Sequence, residues 1–167
     1  MNRISNFLAI VATALVTFPR SAGAETETEL IARGRYIATA IQGCGCHTRE
    51  KADGGKDEKW QYAGSPNPAP PMGPPANAGW SSPRWKKIYA SNITPDRETG
   101  IGKWTETDFI RAMRTGVTPD GRVLDAQMPW TSFQKVTDRD LKSLWAYLKT
   151  IKPNKNRPPK NIPADRK

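Results

Sequence analysis

The chain contains the run Cys44-Gly45-Cys46-His47, which holds both of its cysteines and its only histidine. Adjacent thiol and imidazole groups are ligands of the kind that bind iron and copper. A disulfide between Cys44 and Cys46 would close a loop of almost no length, so it would stabilise the fold very little. We therefore expect these residues to have a chemical role, with the fold built around them.

The spacing of this run is one residue shorter than that of a known attachment motif. Cys-x-x-Cys-His is the motif for covalent attachment of c-type haem, whereas a single glycine separates the two cysteines here. The adjacency of Cys46 and His47 is kept. The run therefore indicates a haem-attachment motif in which the first cysteine is one residue closer to the second than usual.

The first 24 residues are predicted to be a secretory signal. An uncharged apolar run at residues 7–18 follows Arg3, and Ala22-Gly23-Ala24 has the small-x-small form that signal peptidase cleaves. The run is shorter than the roughly 20 residues of a membrane span, although an uncleaved anchor is the alternative. We expect a mature protein that begins at Glu25 in the periplasm, and no later segment is apolar enough to span a bilayer.

The chain is strongly basic, with a formal net charge of +10. Removing Arg3 and Arg20 with the signal leaves +8, because residues 1–24 contain no acid. Such an excess favours an acidic protein partner or an anionic surface, and its alternative is a solvated basic face. Nucleic acid is disfavoured as the partner of an exported protein.

The composition predicts one domain with a small core. Only 37% of the residues are hydrophobic, and there are 15 prolines and 13 glycines. Chains that bury little apolar surface often need a covalent or metal staple. A buried haem would supply part of the missing apolar bulk.

Apolar periodicity and capping residues predict helices at three places. The first spans about Thr28–Ile41 and has Gly34 inside it. The second begins with a capping-box pattern at Thr105–Asp108 and ends at Gly116. The last begins at Thr137 and stops before Pro153.

The remaining segments are predicted to be irregular. Residues 51–83 form a long loop, rich in proline after residue 64, and no strand pattern is evident. The basic segment 152–167 is either an extended arm or disordered. We expect the first and last helices to cross at Gly34, close to Leu141–Trp145.

The sequence resembles a single-domain class I c-type cytochrome, in particular the haem domains of cytochrome subunits from periplasmic alcohol and sugar dehydrogenases. Four segments, in the right order, carry the resemblance: Ala32-Arg33-Gly34-Arg35-Tyr36-Ile37; Cys46-His47-Thr48; Asn92-Ile93-Thr94-Pro95-Asp96 with Thr99-Gly100-Ile101-Gly102-Lys103-Trp104; and Gln127-Met128-Pro129-Trp130.

The resemblance implies an all-α, class I cytochrome c-like domain at residues 25–151, with three to five helices around one covalent haem c. Cys44 and Cys46 would attach the haem, and His47 and Met128 would be the axial iron ligands, Met128 being favoured over Met72. The second nitrogen of His47 would bind a backbone carbonyl, for which the prolines at 66–75 are candidates.

With both axial positions filled, the chain would be an electron carrier and not an enzyme, so no catalytic residue is expected. Its partners would be a donor dehydrogenase or reductase and an acceptor oxidase or other cytochrome.

One departure from the family's pattern affects attachment. In the family's register the first cysteine belongs at position 43, which is Gly43, so Cys44 stands one place late. Glycines at 43 and 45 give this loop conformational freedom. Three outcomes stay open: two thioethers, one thioether through Cys46, or none.

Two other classes of function are compatible with the run. Cys44, Cys46, His47 and a methionine would form a soft ligand set suited to Cu(I) in a periplasmic copper-binding protein. Cys44 and Cys46 would alternatively serve a thiol–disulfide redox module, although such modules normally use Cys-x-x-Cys in a βαβ setting.

Overall fold

The computed structural model describes residues 25–40, 44–67 and 85–164. Within these ranges the regular secondary structure is mostly helical. The elements are α1 (Glu27–Thr39), α2 (Glu106–Thr115), α3 (Trp130–Phe133), α4 (Asp138–Thr150), β1 (Trp85–Lys87) and β2 (Ile162–Pro163). This architecture confirms the predicted all-α fold class. The signal at residues 1–24, Gly43 and Met72 lie outside the described residues.

Helix α1 begins with a complete capping box. The Thr26 hydroxyl accepts from the Glu29 backbone N–H, and the Glu29 carboxylate accepts from the Thr26 backbone N–H. These contacts satisfy two donors that a helix start leaves free. Its buried side contains Gly34, Ile37 and Ala38. The observed start lies one residue before the predicted one, and the predicted end, Ile41, is outside the described residues.

Helix α4 provides the other half of the main packing contact. The Thr137 hydroxyl caps its first turn by accepting from the Asp140 backbone N–H. Its buried stripe includes Leu141, Leu144 and Leu148, all at most 2% exposed. Because these residues recur at helical spacing, one face of α4 is apolar and packs against the core.

Helices α1 and α4 cross at Gly34, as predicted. A methyl group added at Gly34 would collide with the backbone carbonyl of Ser143 and would lie 2.8 Å from Tyr147 Cβ. The absence of a side chain therefore sets how closely the two backbones approach. Beside this crossing, Arg33 on α1 pairs with Asp140 on α4.

Helix α2 has the predicted start and end. Thr105 and Asp108 form its capping box, and Gly116 ends it with a left-handed φ of +70°. The buried side of α2 contacts α4, where the rings of Phe109 and Trp145 lie 5.5 Å apart. The ring of Trp130, at the start of α3, lies so close to Gly116 that a Cβ there would be 2.5 Å from it. None of the described helices is long and apolar enough to cross a membrane.

The expectation that the chain has no strand is wrong. Strands β1 and β2 pair antiparallel, Trp85 opposite Pro163 and Lys87 opposite Ile162, with an irregularity between these pairs. Runs of three and two residues are too short to show an alternating pattern in the sequence. The pairing gives the C-terminal segment a defined path along the domain.

The segment after α4 is extended and is held by asparagine side chains. Asn154 Nδ2 donates to the Lys59 carbonyl at 3.2 Å, and Asn156 Nδ2 donates to the Ala63 carbonyl at 2.8 Å. Asn161 Oδ1 accepts from the Tyr89 backbone N–H at 2.9 Å. The segment thus connects the loop that follows Cys46 to the loop that precedes α2.

We expect Asn156→Ala to reduce the free energy of unfolding by about 1–2 kcal/mol. The substitution leaves the carbonyl of Ala63, a fully buried residue, without its partner. Urea unfolding followed by tryptophan fluorescence measures the change. Lys160→Ala, at an exposed position of the same segment, is the control and should have little effect. Equal stabilities for the two variants would mean that the asparagine contact contributes nothing.

Candidate functional site

His47 lies at the end of a short 3-10 helix, Gly45–His47, and only 8% of it is exposed. Its Nδ1 lies 2.7 Å from the backbone carbonyl of Ser91. Because a carbonyl only accepts, Nδ1 carries the proton, and the lone pair of the neutral ring is on Nε2. Burial lowers the pKa of His47, and the Ser91 hydrogen bond opposes this shift only in part. The ring is therefore neutral at pH 7 and suited to metal ligation through Nε2.

The partner of this imidazole differs from the one suggested by the sequence. A proline carbonyl at 66–75 was the candidate, but the hydrogen bond goes to Ser91. Nothing in the side chain of Ser91 marks its carbonyl for this role. The sequence feature that could have pointed to this carbonyl is the position of Ser91 directly before the Asn92–Asp96 segment.

Backbone hydrogen bonds hold the Ser91 carbonyl in place. The Gly64 N–H donates to the His47 carbonyl at 2.8 Å, and the Ser65 N–H donates to the Ala90 carbonyl at 3.2 Å. The Ile93 N–H donates to the Tyr62 carbonyl at 2.9 Å. The loop after His47 and the loop containing Ser91 are thereby joined on both sides of the imidazole contact.

Asn92, next to Ser91, is the centre of a buried polar network that sequence analysis did not identify. Its side chain is 3% exposed, and its Oδ1 accepts from the backbone N–H and the hydroxyl of Thr94. Its Nδ2 lies 2.6 Å from the Asn154 carbonyl and 3.0 Å from the Asn156 carbonyl. The network joins the Ser91 loop to the C-terminal segment, and a fully satisfied network of this kind makes a loop rigid.

The two cysteines have different environments. Cys44 is 5% exposed and belongs to the hydrophobic core, whereas Cys46 is exposed. Both are free thiols. Burial, with a smaller contribution from Cys46, raises the pKa of Cys44 to about 12.

Met128 lies near His47, in the loop that leads into α3. Its backbone is fixed by a hydrogen bond from its N–H to the Asp125 carbonyl at 2.9 Å. The side chain is half-buried and packs against the hydrophobic core. The structure thus places Met128 near His47, while Cys44 is directed into the core.

The described residues include no group of three or more histidine, cysteine, aspartate or glutamate side chains placed to hold a metal ion. The candidate ligands of the site are one imidazole and one thioether, together with an exposed thiol next to the imidazole.

Comparison with known proteins relates the chain to components of dehydrogenases. A nicotinate dehydrogenase component from Pseudomonas putida is 38% identical over 135 residues, which are 79% of this chain and 9% of that protein. The fructose dehydrogenase cytochrome subunit from Gluconobacter japonicus is 37% identical over 74% of this chain and 22% of its own length. The gluconate 2-dehydrogenase cytochrome c subunit from Pantoea cypripedii is 35% identical over 87% of this chain and 28% of its own.

No family model matches the chain. The chain spans less than a third of the length of each of these relatives. The similarity nevertheless covers most of this chain, including the segments of His47 and Met128 that the resemblance had indicated. Over most of its length, the chain is therefore a homologue of the cytochrome c subunits of bacterial dehydrogenases, with an all-α, class I cytochrome c-like fold.

Proposed function

We propose that this chain binds haem c covalently, with His47 and Met128 as axial ligands, and carries single electrons without acting as an enzyme. The observation that carries the proposal is the buried, neutral imidazole of His47, which is held through Nδ1 by the Ser91 carbonyl and directly follows an exposed cysteine. The relatives support it, since two of them are named as cytochrome subunits.

The residues of the site fit this cofactor. A metal-bound histidine usually donates its second N–H to a carbonyl or carboxylate, which fixes the ring and raises its basicity. Ser91 supplies such a carbonyl. Met128 offers a neutral, soft sulfur, a ligand that favours reduced iron and raises the potential. A bound haem would supply a one-electron iron couple.

We infer that the residues around the site serve electron transfer and not substrate chemistry. If His47 and Met128 both held the iron of a bound haem, they would leave no coordination position for a substrate. The half-buried side chain of Met128 and the buried ring of His47 would also limit access of water to the iron. Low solvent access is one of the ways in which a protein tunes a haem potential.

The proposed setting is the periplasm, reached through the signal at residues 1–24. The donor would be a dehydrogenase or reductase, and the acceptor an oxidase or another cytochrome. Because the mature chain has a charge of +8, the partners are expected to present acidic docking surfaces that steer the encounter. Membership of a dehydrogenase complex is supported by what the relatives are named.

The burial of Cys44 argues against the copper and thiol–disulfide alternatives. A copper set of Cys44, Cys46, His47 and a methionine would need two adjacent thiols turned to one side, but one is in the core and the other is exposed. A thiol–disulfide module needs a reactive thiolate, whereas the raised pKa of Cys44 keeps it protonated at pH 7.

The test is a pyridine haemochrome spectrum of protein expressed with its signal and a c-type maturation system. We expect the haem to stay with the protein after acid–acetone extraction, which indicates covalent attachment. His47→Ala should lose the low-spin spectrum, whereas Thr107→Ala, at an exposed position on α2, should keep it. Complete extraction of the haem, or no haem at all, would refute the proposal.

A further inference from the structure

The short 3-10 turn at Gly45–His47 separates the two cysteines. The His47 N–H donates to the Cys44 carbonyl at 3.0 Å, which makes Cys44 the first residue of this turn. A 3-10 helix has about 3.0 residues per turn, so positions two apart emerge about 120° from each other, whereas positions three apart emerge on the same side. Shortening the motif by one residue therefore directs the first thiol away from the side on which Cys46 lies.

The exposed fraction of each cysteine shows the environment in which its thiol lies. Cys44 is 5% exposed and lies in the core cluster that also contains Ile37 and Tyr62. Its backbone N–H bonds to the Ala38 carbonyl at 3.4 Å, which connects it to the end of α1. Cys46 is exposed and adjacent to the imidazole. The two cysteines are thus a core residue and an accessible one.

The two thiols also differ in their access to other molecules. Because Cys44 is only 5% exposed and belongs to the core cluster, its sulfur is shielded from a group that lies outside the core. A buried, unreactive cysteine behaves as a small apolar residue of the core.

We propose that this chain attaches its haem through a single thioether at Cys46, and that Cys44 remains a free thiol in the protein core. The proposal rests on the proposed function. The Cys46 S–H bond adds across one vinyl C=C bond: a carbon–sulfur bond forms, the thiol hydrogen passes to the neighbouring carbon, and the vinyl π bond is consumed. The addition is redox-neutral and needs no oxidant. The second vinyl group stays intact.

The direct test counts free thiols in wild-type holoprotein. The protein is denatured, alkylated with iodoacetamide and analysed by peptide mass spectrometry. One carbamidomethyl group on Cys44 of the haem-bearing chain is expected, and its absence would overturn the proposal. The haemochrome α band should also lie at a longer wavelength than that of a cytochrome with two thioethers, because one vinyl group remains conjugated.

Two serine variants give a matched comparison. Cys44→Ser should keep covalent haem, and Cys46→Ser should lose all haem on acid–acetone extraction. Loss of covalent haem in Cys44→Ser would contradict the proposal if alkylation also finds no free thiol in the wild type. Failure of the proposed function gives a different result, since wild-type protein would then contain no haem and both of its cysteines would be alkylated.

Discussion

Replacement of Met128 by alanine is expected to lower the reduction potential of the holoprotein on the order of 100 mV, within the roughly 0.8 V range that axial ligands control. The substitution removes the sulfur from a half-buried side chain near His47 and leaves a space that water can enter. Loss of the soft thioether removes the preference for reduced iron. Water that takes its place would be a hard oxygen ligand, which favours the oxidised state.

Spectroelectrochemical titration measures this shift, and the visible spectrum reports the loss of the sixth ligand. Met72→Ala is the matched comparison, since Met72 is the methionine that competes with Met128 as the proposed ligand. Met113→Leu, in the buried face of α2, controls for general changes in packing. An unchanged potential in Met128→Ala, with a lowered one in Met72→Ala, would assign the ligand to Met72.

Gly34→Ala is expected to destabilise the fold by about 3 kcal/mol or more, which is at the upper end of the effects of overpacking. The added methyl group would meet the Ser143 carbonyl, a backbone atom that no rotamer change can move. Relief requires α1 and α4 to separate, and separation would expose the stripe formed by Leu141 and Leu144.

Chemical denaturation of the holoprotein, followed by circular dichroism, tests this expectation. Thr28→Ala places the same side chain at an exposed position of α1 and should leave the unfolding midpoint nearly unchanged. A Gly34→Ala protein as stable as wild type would show that the two helices do not cross as closely as described.

Local signals explain why the helices were predictable. Thr105 and Asp108 form a capping box within four residues, and Gly116 ends the same helix because it adopts a left-handed φ. The crossing at Gly34 was also predictable, since a glycine inside a helix is tolerated where another backbone approaches. The helix ends can be read from one short stretch of sequence, whereas the crossing also needed the apolar stripe of the last helix as its partner.

The contacts that hold His47 and the Ser91 loop in place could not be predicted from local signals. The Ser91 carbonyl that orients His47 is a backbone group, which any residue type would supply. The amide group of Asn92 binds carbonyls at 154 and 156, and loops carry no periodic pattern that would bring these positions together. The burial of Cys44 depends on the register of a single short turn and on the core around it.

The C-terminal segment also has a consequence for the order of folding. Its asparagines bind the Lys59 and Ala63 carbonyls, which precede them by 95 and 93 residues. Contacts so distant along the chain form slowly, because the closure of a long loop costs entropy before the contact is gained. The crossing of α1 and α4 closes a loop of similar length, since Arg33 and Asp140 lie 107 residues apart. We therefore expect the loop around the imidazole to become rigid only when the whole domain closes. We expect any chemistry that needs a flexible Cys46 loop, such as attachment, to take place before that closure.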